Sequence, residues 1–133
     1  MLCSVVLDAP LPGRDPDEAY ALVADFERYP DLTEPVLSVT MNAEGAAVES
    51  RWEVKFRKGI LIWTERDEPD PAAREIAFTQ TKGDFALFTG SWRIDETPEG
   101  ALVTFASRFD LGIASLASLV DPVACAALRD GIS

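Results

Sequence analysis

Ala46-Ala47-Val48-Glu49-Ser50-Arg51-Trp52-Glu53-Val54-Lys55-Phe56 decides the fold class. Val48, Ser50, Trp52, Val54 and Phe56 fall on one side of an extended chain, with Glu49, Arg51, Glu53 and Lys55 opposite. Successive strand side chains point to opposite faces, so this period of two marks a half-buried β-strand. Comparable strand-like runs lie at 36–42, 60–68, 74–82, 85–95 and 101–111. Their separators (Glu44-Gly45, Lys58-Gly59, Pro69-Asp70-Pro71, Gly83-Asp84 and Pro98-Glu99-Gly100) are too short for crossovers. The six runs therefore predict an antiparallel meander of hairpins.

Upstream, Leu2 to Ala9 is rich in β-branched residues and is stopped by the cluster from Pro10 to Gly13, which predicts one more strand. Asp15 as N-cap, Pro16 at the first helical position and Glu18 in the first turn then open a helix. Ala19, Leu22, Val23 and Phe26 form its apolar stripe, and Pro30 ends it near Tyr29. A second short turn or helix fills 31–35, so the helical pair covers roughly 16–34. Downstream, Asp121-Pro122 opens an Ala-rich helix to Arg129. The order is β-αα-β6-α, an α+β chain read as a single domain over 1–133.

Alternation also assigns faces. Phe88, Gly90, Trp92 and Ile94 share one, and so do Val103, Phe105, Ser107 and Phe109. The run at 60–66 is ambiguous, because Ile60/Ile62/Thr64/Arg66 and Leu61/Trp63/Glu65 are both mixed sets.

With 133 residues, 47% hydrophobic and 26% charged, the chain has enough apolar material for a core without a metal or disulfide staple. A formal charge of −11 repels phosphate backbones and anionic lipid, which argues against nucleic-acid and membrane partners. There is no histidine, so a Ser-His-Asp or Cys-His system is excluded, and no zinc-ligand spacing is present. Cys3 and Cys125 read as buried thiols of a reducing cytosol rather than a disulfide. The first ten residues form neither a signal peptide nor a span, and a cytoplasmic protein is expected.

Several motifs in this order are familiar: Asp25-Phe26-Glu27-Arg28-Tyr29-Pro30, Lys82-Gly83-Asp84-Phe85, Gly90-Ser91-Trp92, and Leu119 to Ala124 opening the last helix. With them the chain resembles the helix-grip (START-like, SRPBCC) polyketide cyclases and aromatases. Thr64-Glu65-Arg66, ending a strand-turn-strand, is similar to the related coenzyme Q-binding proteins. The resemblance spans nearly the whole chain and implies a curved seven-stranded antiparallel sheet around a C-terminal helix, enclosing a deep hydrophobic pocket. It implies a cofactor-independent enzyme of polyketide biosynthesis that cyclises a poly-β-ketone by an intramolecular aldol reaction. The alternative is a non-catalytic carrier of an apolar aromatic or isoprenoid molecule, serving transport, chaperoning or self-protection.

Matching Thr-x-Arg to the family's pocket arginine turns Ile60, Ile62, Thr64 and Arg66 inward. By this resemblance Arg66, Tyr29 and Thr64 are the catalytic candidates. Trp52, Ile62, Phe88, Trp92, Phe105 and Ser107 are the substrate-binding ones. Arginine suits an enolate because it stays cationic and offers a rigid fork of donors. The bland alternatives are a surface ion pair for Arg66, plain core for Trp52 and Trp92, and a packing lid for Tyr29. Asp67, Glu68, Asp70, Asp84, Asp95 and Glu96 lie in or near turns and read as a solvated rim, with no carboxylate pair expected. Lys55, Arg57 and Lys58 make one basic hairpin tip toward which an acidic acyl carrier protein could be steered. The last helix runs only two to three turns past Pro122, shorter than the family's: either the chain is cut short, or 113–120 supplies another turn.

Overall fold

A computed structural model describes residues 2–44, 47–56 and 59–110. Seven strands, β1 (Cys3–Pro12), β2 (Val36–Glu44), β3 (Ala47–Phe56), β4 (Gly59–Asp70), β5 (Glu75–Gly83), β6 (Leu87–Thr97) and β7 (Gly100–Asp110), form one sheet. Its order is β1-β7-β6-β5-β4-β3-β2 and every pairing is antiparallel. Consecutive strands from β2 to β7 are neighbours, as the short separators predict. β1 closes the far edge on β7, from Cys3 opposite Phe109 to Pro12 opposite Gly100.

Between β1 and β2 lie α1 (Pro16–Ala24), a 3-10 turn (Phe26–Arg28) and α2 (Tyr29–Leu32). The Asp15 carboxylate caps α1 by accepting from the backbone N–H groups of Asp17 and Glu18 at 3.1 and 3.3 Å. The helix ends at Ala24, earlier than expected, because Asp25 leaves helical geometry (φ −83°, ψ 68°). That break turns Phe26 into the core at 2% exposure, while Pro30 sits in the first turn of α2 instead of ending a longer helix. The buried stripe of α1 is Pro16, Ala19, Tyr20 and Val23; Leu22 stays exposed. Ala19 packs on Ile94, Ala101 and Val103, so α1 rests on β6 and β7.

The inner face is read from the register, because residues directly opposite in an antiparallel pair point to the same side. Trp52 faces Trp63, Ser50 faces Glu65 and Val48 faces Asp67. The inner set of β4 is therefore Leu61, Trp63, Glu65 and Asp67, which corrects the inward placement of Ile60, Ile62, Thr64 and Arg66. The cause is the β3–β4 hairpin: Phe56 pairs with Gly59 across two residues, so even positions of β3 oppose odd positions of β4. The other face assignments hold: Trp52, Phe88, Ile94, Val103, Phe105, Ser107 and Phe109 are all buried.

Curvature brings distant strands together. β3 and β6 are three strand steps apart, about 14 Å on a flat sheet. Yet the Tyr29 ring lies 5.4 Å from that of Trp52 on β3 and 6.2 Å from that of Trp92 on β6. The concave side is thus gathered around the helical pair.

Cys3 is buried and disulfide-bonded, which corrects the expectation of free thiols. The expected C-terminal helix, Cys125 and the basic positions 57 and 58 lie outside the described residues. No helix among the described residues is long and apolar enough to cross a membrane.

Candidate functional site

The concave face holds a cavity of about 390 Å³. Its walls are Trp52, Val54 and Phe56 of β3, Trp63 and Glu65 of β4, Phe78 of β5, Phe88 and Trp92 of β6, and Phe105 and Phe109 of β7. Phe85 closes one side; Tyr29, Leu32, Thr33, Pro35 and Val36 close another. Ring-to-ring contacts make this wall stiff. Trp52 and Trp63 lie parallel at 5.8 Å, Phe78 and Phe105 nearly so at 5.8 Å, and Trp92 meets Phe105 at 4.6 Å. Such a volume, largely aromatic and with few polar groups, suits a flat apolar ligand.

Local chemistry fixes Phe85. The Gln80 amide donates to the Phe85 carbonyl at 2.7 Å and its oxygen accepts from the Phe85 N–H at 3.2 Å. Asp84 accepts from the Ile62 N–H at 2.7 Å through its carboxylate and donates its own N–H to the Ile62 carbonyl. The Gly83-Asp84-Phe85 motif therefore ties the β5–β6 loop to β4 and sets an aromatic ring into the cavity wall.

One group in the wall is a carboxyl. Glu65 is 3% exposed and its Oε1 accepts from the Trp63 indole N–H at 2.8 Å. Burial first, then the adjoining Asp67, pushes Glu65 up to about 10, against the opposing pull of the indole bond. Asp67, also 3% exposed, is raised by burial and held back by its bonds with Glu65 and with Ser50, whose hydroxyl donates at 2.6 Å. Its place near a turn predicts a solvated rim for Asp67; instead it is buried on the inner face, because it pairs with Val48 in the inner register.

The folded protein thus keeps a proton on Glu65 that the unfolded chain releases near pH 4.5. Between that pH and about 10 the native state binds more protons than the unfolded one. Raising the pH through this window therefore lowers stability. The contribution of Glu65 is complete below the lower limit and lost as pH climbs through the upper one. The urea midpoint should fall from about pH 5 to about pH 9, and Glu65→Gln, neutral throughout, should flatten that fall. An equally steep fall in the glutamine variant would mean that Glu65 is already ionised at neutral pH.

The residues expected from the resemblance separate into two groups. Trp52, Phe88, Trp92, Phe105 and Tyr29 all line the cavity. Tyr29 donates its hydroxyl to the Val23 carbonyl, and burial first, then the charges of Glu65 and Asp25, raises its phenol further from ionisation. Ser107 is buried on the same face but outside the cavity wall, with its Oγ unpartnered among the described residues. Arg66, Ile62 and Thr64 belong to the opposite face of β4. Arg66 is 63% exposed and pairs with Glu68 at 3.7 Å, Ile62 is exposed, and Thr64 is buried away from the cavity. The hairpin parity that excludes Arg66 is the signal that would have found Glu65. Lys55 also lines the cavity.

The family model described as polyketide cyclase/dehydrase and lipid transport matches residues 13–132. The chain belongs to this family. Solved structures share the fold, among them the following three. A protein of Thermus thermophilus superposes with a TM-score of 0.87 at 22% identity, over 99% of this chain and 89% of its own. The Zhui aromatase/cyclase of Streptomyces sp. R1128 gives 0.76 at 20% identity, over 99% and 92%. A START superfamily protein of Mycobacterium smegmatis gives 0.67 at 16% identity, over 97% and 94%. At these identities the likeness carries the helix-grip, START-like fold and no residue roles. No curated protein matches the sequence.

Proposed function

We propose that the protein is a polyketide cyclase/aromatase that folds a poly-β-ketone against the aromatic wall and closes a ring by intramolecular aldol addition. The observation that carries this reading is a buried carboxyl, Glu65, which among the described residues stands alone in a cavity wall of mostly apolar side chains. Methylenes between two carbonyls are already acidic, so confinement in a reactive fold supplies much of the acceleration. The enol carbon attacks a second carbonyl carbon and a C–C bond forms. The carbonyl π pair moves to oxygen, which takes the Glu65 proton, and the enol O–H returns a proton to the carboxylate. The addition is an isomerisation; loss of water afterwards gives the aromatic ring. A carboxylic acid kept neutral in a dry site can stabilise charge on such an oxygen. This chemistry asks for no cofactor. Lys55, an exposed cation among the cavity residues, would steer an acidic acyl carrier protein that presents the chain.

A second reading, a binder that leaves its ligand unchanged, is favoured by the outward position of Arg66 and by the engagement of the Tyr29 hydroxyl with Val23. Incubating the protein with a carrier-bound poly-β-ketone and separating the products tests the enzyme. One ring-closed product should rise above the spontaneous mixture. The same mixture with and without the protein would leave only the binder.

A further inference from the structure

Glu65 and Asp67 stand two positions apart on the inner face of β4 and share four carboxyl oxygens with two fixed donors. The Trp63 indole N–H takes Glu65 Oε1, and the Ser50 hydroxyl takes Asp67 Oδ2. Ser50 in turn accepts from the Trp52 indole N–H at 2.8 Å. Both donors are clamped, because the two indoles lie parallel at 5.8 Å within the aromatic wall. Asp67 Oδ1 is left buried without a partner among the described residues. On the same face, between the cavity residues Phe105 and Phe109, Ser107 buries an unpartnered Oγ. Arg66, which lies between the two carboxyls in sequence, points away. Two carboxyls two positions apart on one buried face, with no cation between them among the described residues, oppose each other's ionisation.

We propose that the Glu65 carboxyl, the member of this pair that lines the cavity, is the cavity's polar subsite and selects a neutral flat ligand bearing a ketone or enol oxygen over a hydrocarbon or a carboxylate. A ketone oxygen accepts a hydrogen bond from the protonated Glu65 carboxyl, while the Asp67 carboxyl stays bound to the Ser50 hydroxyl. An enol O–H donates to a free carboxyl lone pair. A ligand carboxylate brings an anion into a desolvated site, and a hydrocarbon offers the carboxyl nothing. The proposal rests on the cavity being the ligand site, and not on turnover.

Equilibrium dialysis of the full chain at neutral pH against 2-acetylnaphthalene, 2-ethylnaphthalene and 2-naphthoate tests it. The ketone should bind about tenfold tighter than the ethyl compound, the worth of one good hydrogen bond, and the carboxylate weakest of the three. Glu65→Leu should bring the ketone and ethyl affinities to within about twofold while the ethyl compound still binds. Glu65→Gln, which retains a donor, should keep most of the preference. Equal affinities in the unaltered protein, a naphthoate bound as tightly as the ketone, or a preference that survives Glu65→Leu would each overturn the proposal. Failure of the cyclase reading would look different: an unchanged polyketide with the ketone preference intact.

Discussion

Gly90→Val should leave no folded protein under conditions where the unaltered chain is native. A Cβ at this position would stand 2.7 Å from the Phe78 ring and 2.9 Å from the Ser107 Cα, and closer still to the Ala106 carbonyl oxygen. Two of these obstacles are backbone of β7, which cannot swing aside as a side chain would. Gly90 is opposite Phe78 on β5 and Ser107 on β7, so relief would have to open the register of both strands. The bare Cα is also what lets Phe78 lie over the sheet and stack on Phe105. Overpacking a core typically costs about 1–3 kcal/mol, and a clash with backbone should exceed it. Gly90→Ala should therefore lose about 3 kcal/mol in urea unfolding and the valine more than the margin of a typical domain. An alanine variant within about 0.5 kcal/mol of the unaltered protein would mean that β7 does not flank β6 as described.

Turnover should depend on Glu65 and be indifferent to Arg66. Losing a positioned acid typically slows a reaction by about a hundredfold or more. Glu65→Gln keeps a donor but has no proton to give, so kcat should fall by about that factor with KM changed little. Glu65→Leu should lower kcat at least as far and raise KM, because the donor itself is gone. Arg66→Gln should stay within about twofold on both constants, since an exposed pair with Glu68 contributes little. A hundredfold loss in Arg66→Gln alongside a normal Glu65→Gln would restore the arginine assignment and reject the carboxyl one.

Much of this arrangement is legible in the sequence. Strict alternation in 46–56, 85–95 and 101–109 suffices to place Trp52, Phe88, Trp92 and Phe105 on the concave face, because one face of each strand is plainly apolar. The Asp15-Pro16 start is equally plain, since a cap and a proline act locally. β4 lacks that contrast: Trp63, Glu65 and Asp67 alternate with Ile62, Thr64 and Arg66, and neither set is apolar throughout. There the face is decided by a neighbour, through the parity of a two-residue hairpin, and a Thr-x-Arg match carries no information about that parity. Asp67 misleads for a related reason. A carboxylate near a turn is usually solvated, and only the pairing with Val48 and the Ser50 hydroxyl show that this one is enclosed. The early end of α1 depends on the backbone angles of Asp25, which no local preference dictates.

An experimental structure with 2-acetylnaphthalene bound tests most directly whether β4 presents Glu65 to the ligand. The account predicts the naphthalene rings against Trp52, Trp63 and Trp92, with the ketone oxygen within about 3.2 Å of the Glu65 carboxyl. A ligand seated on the Arg66 face of β4, or one in the cavity with its ketone turned away from Glu65, would contradict it.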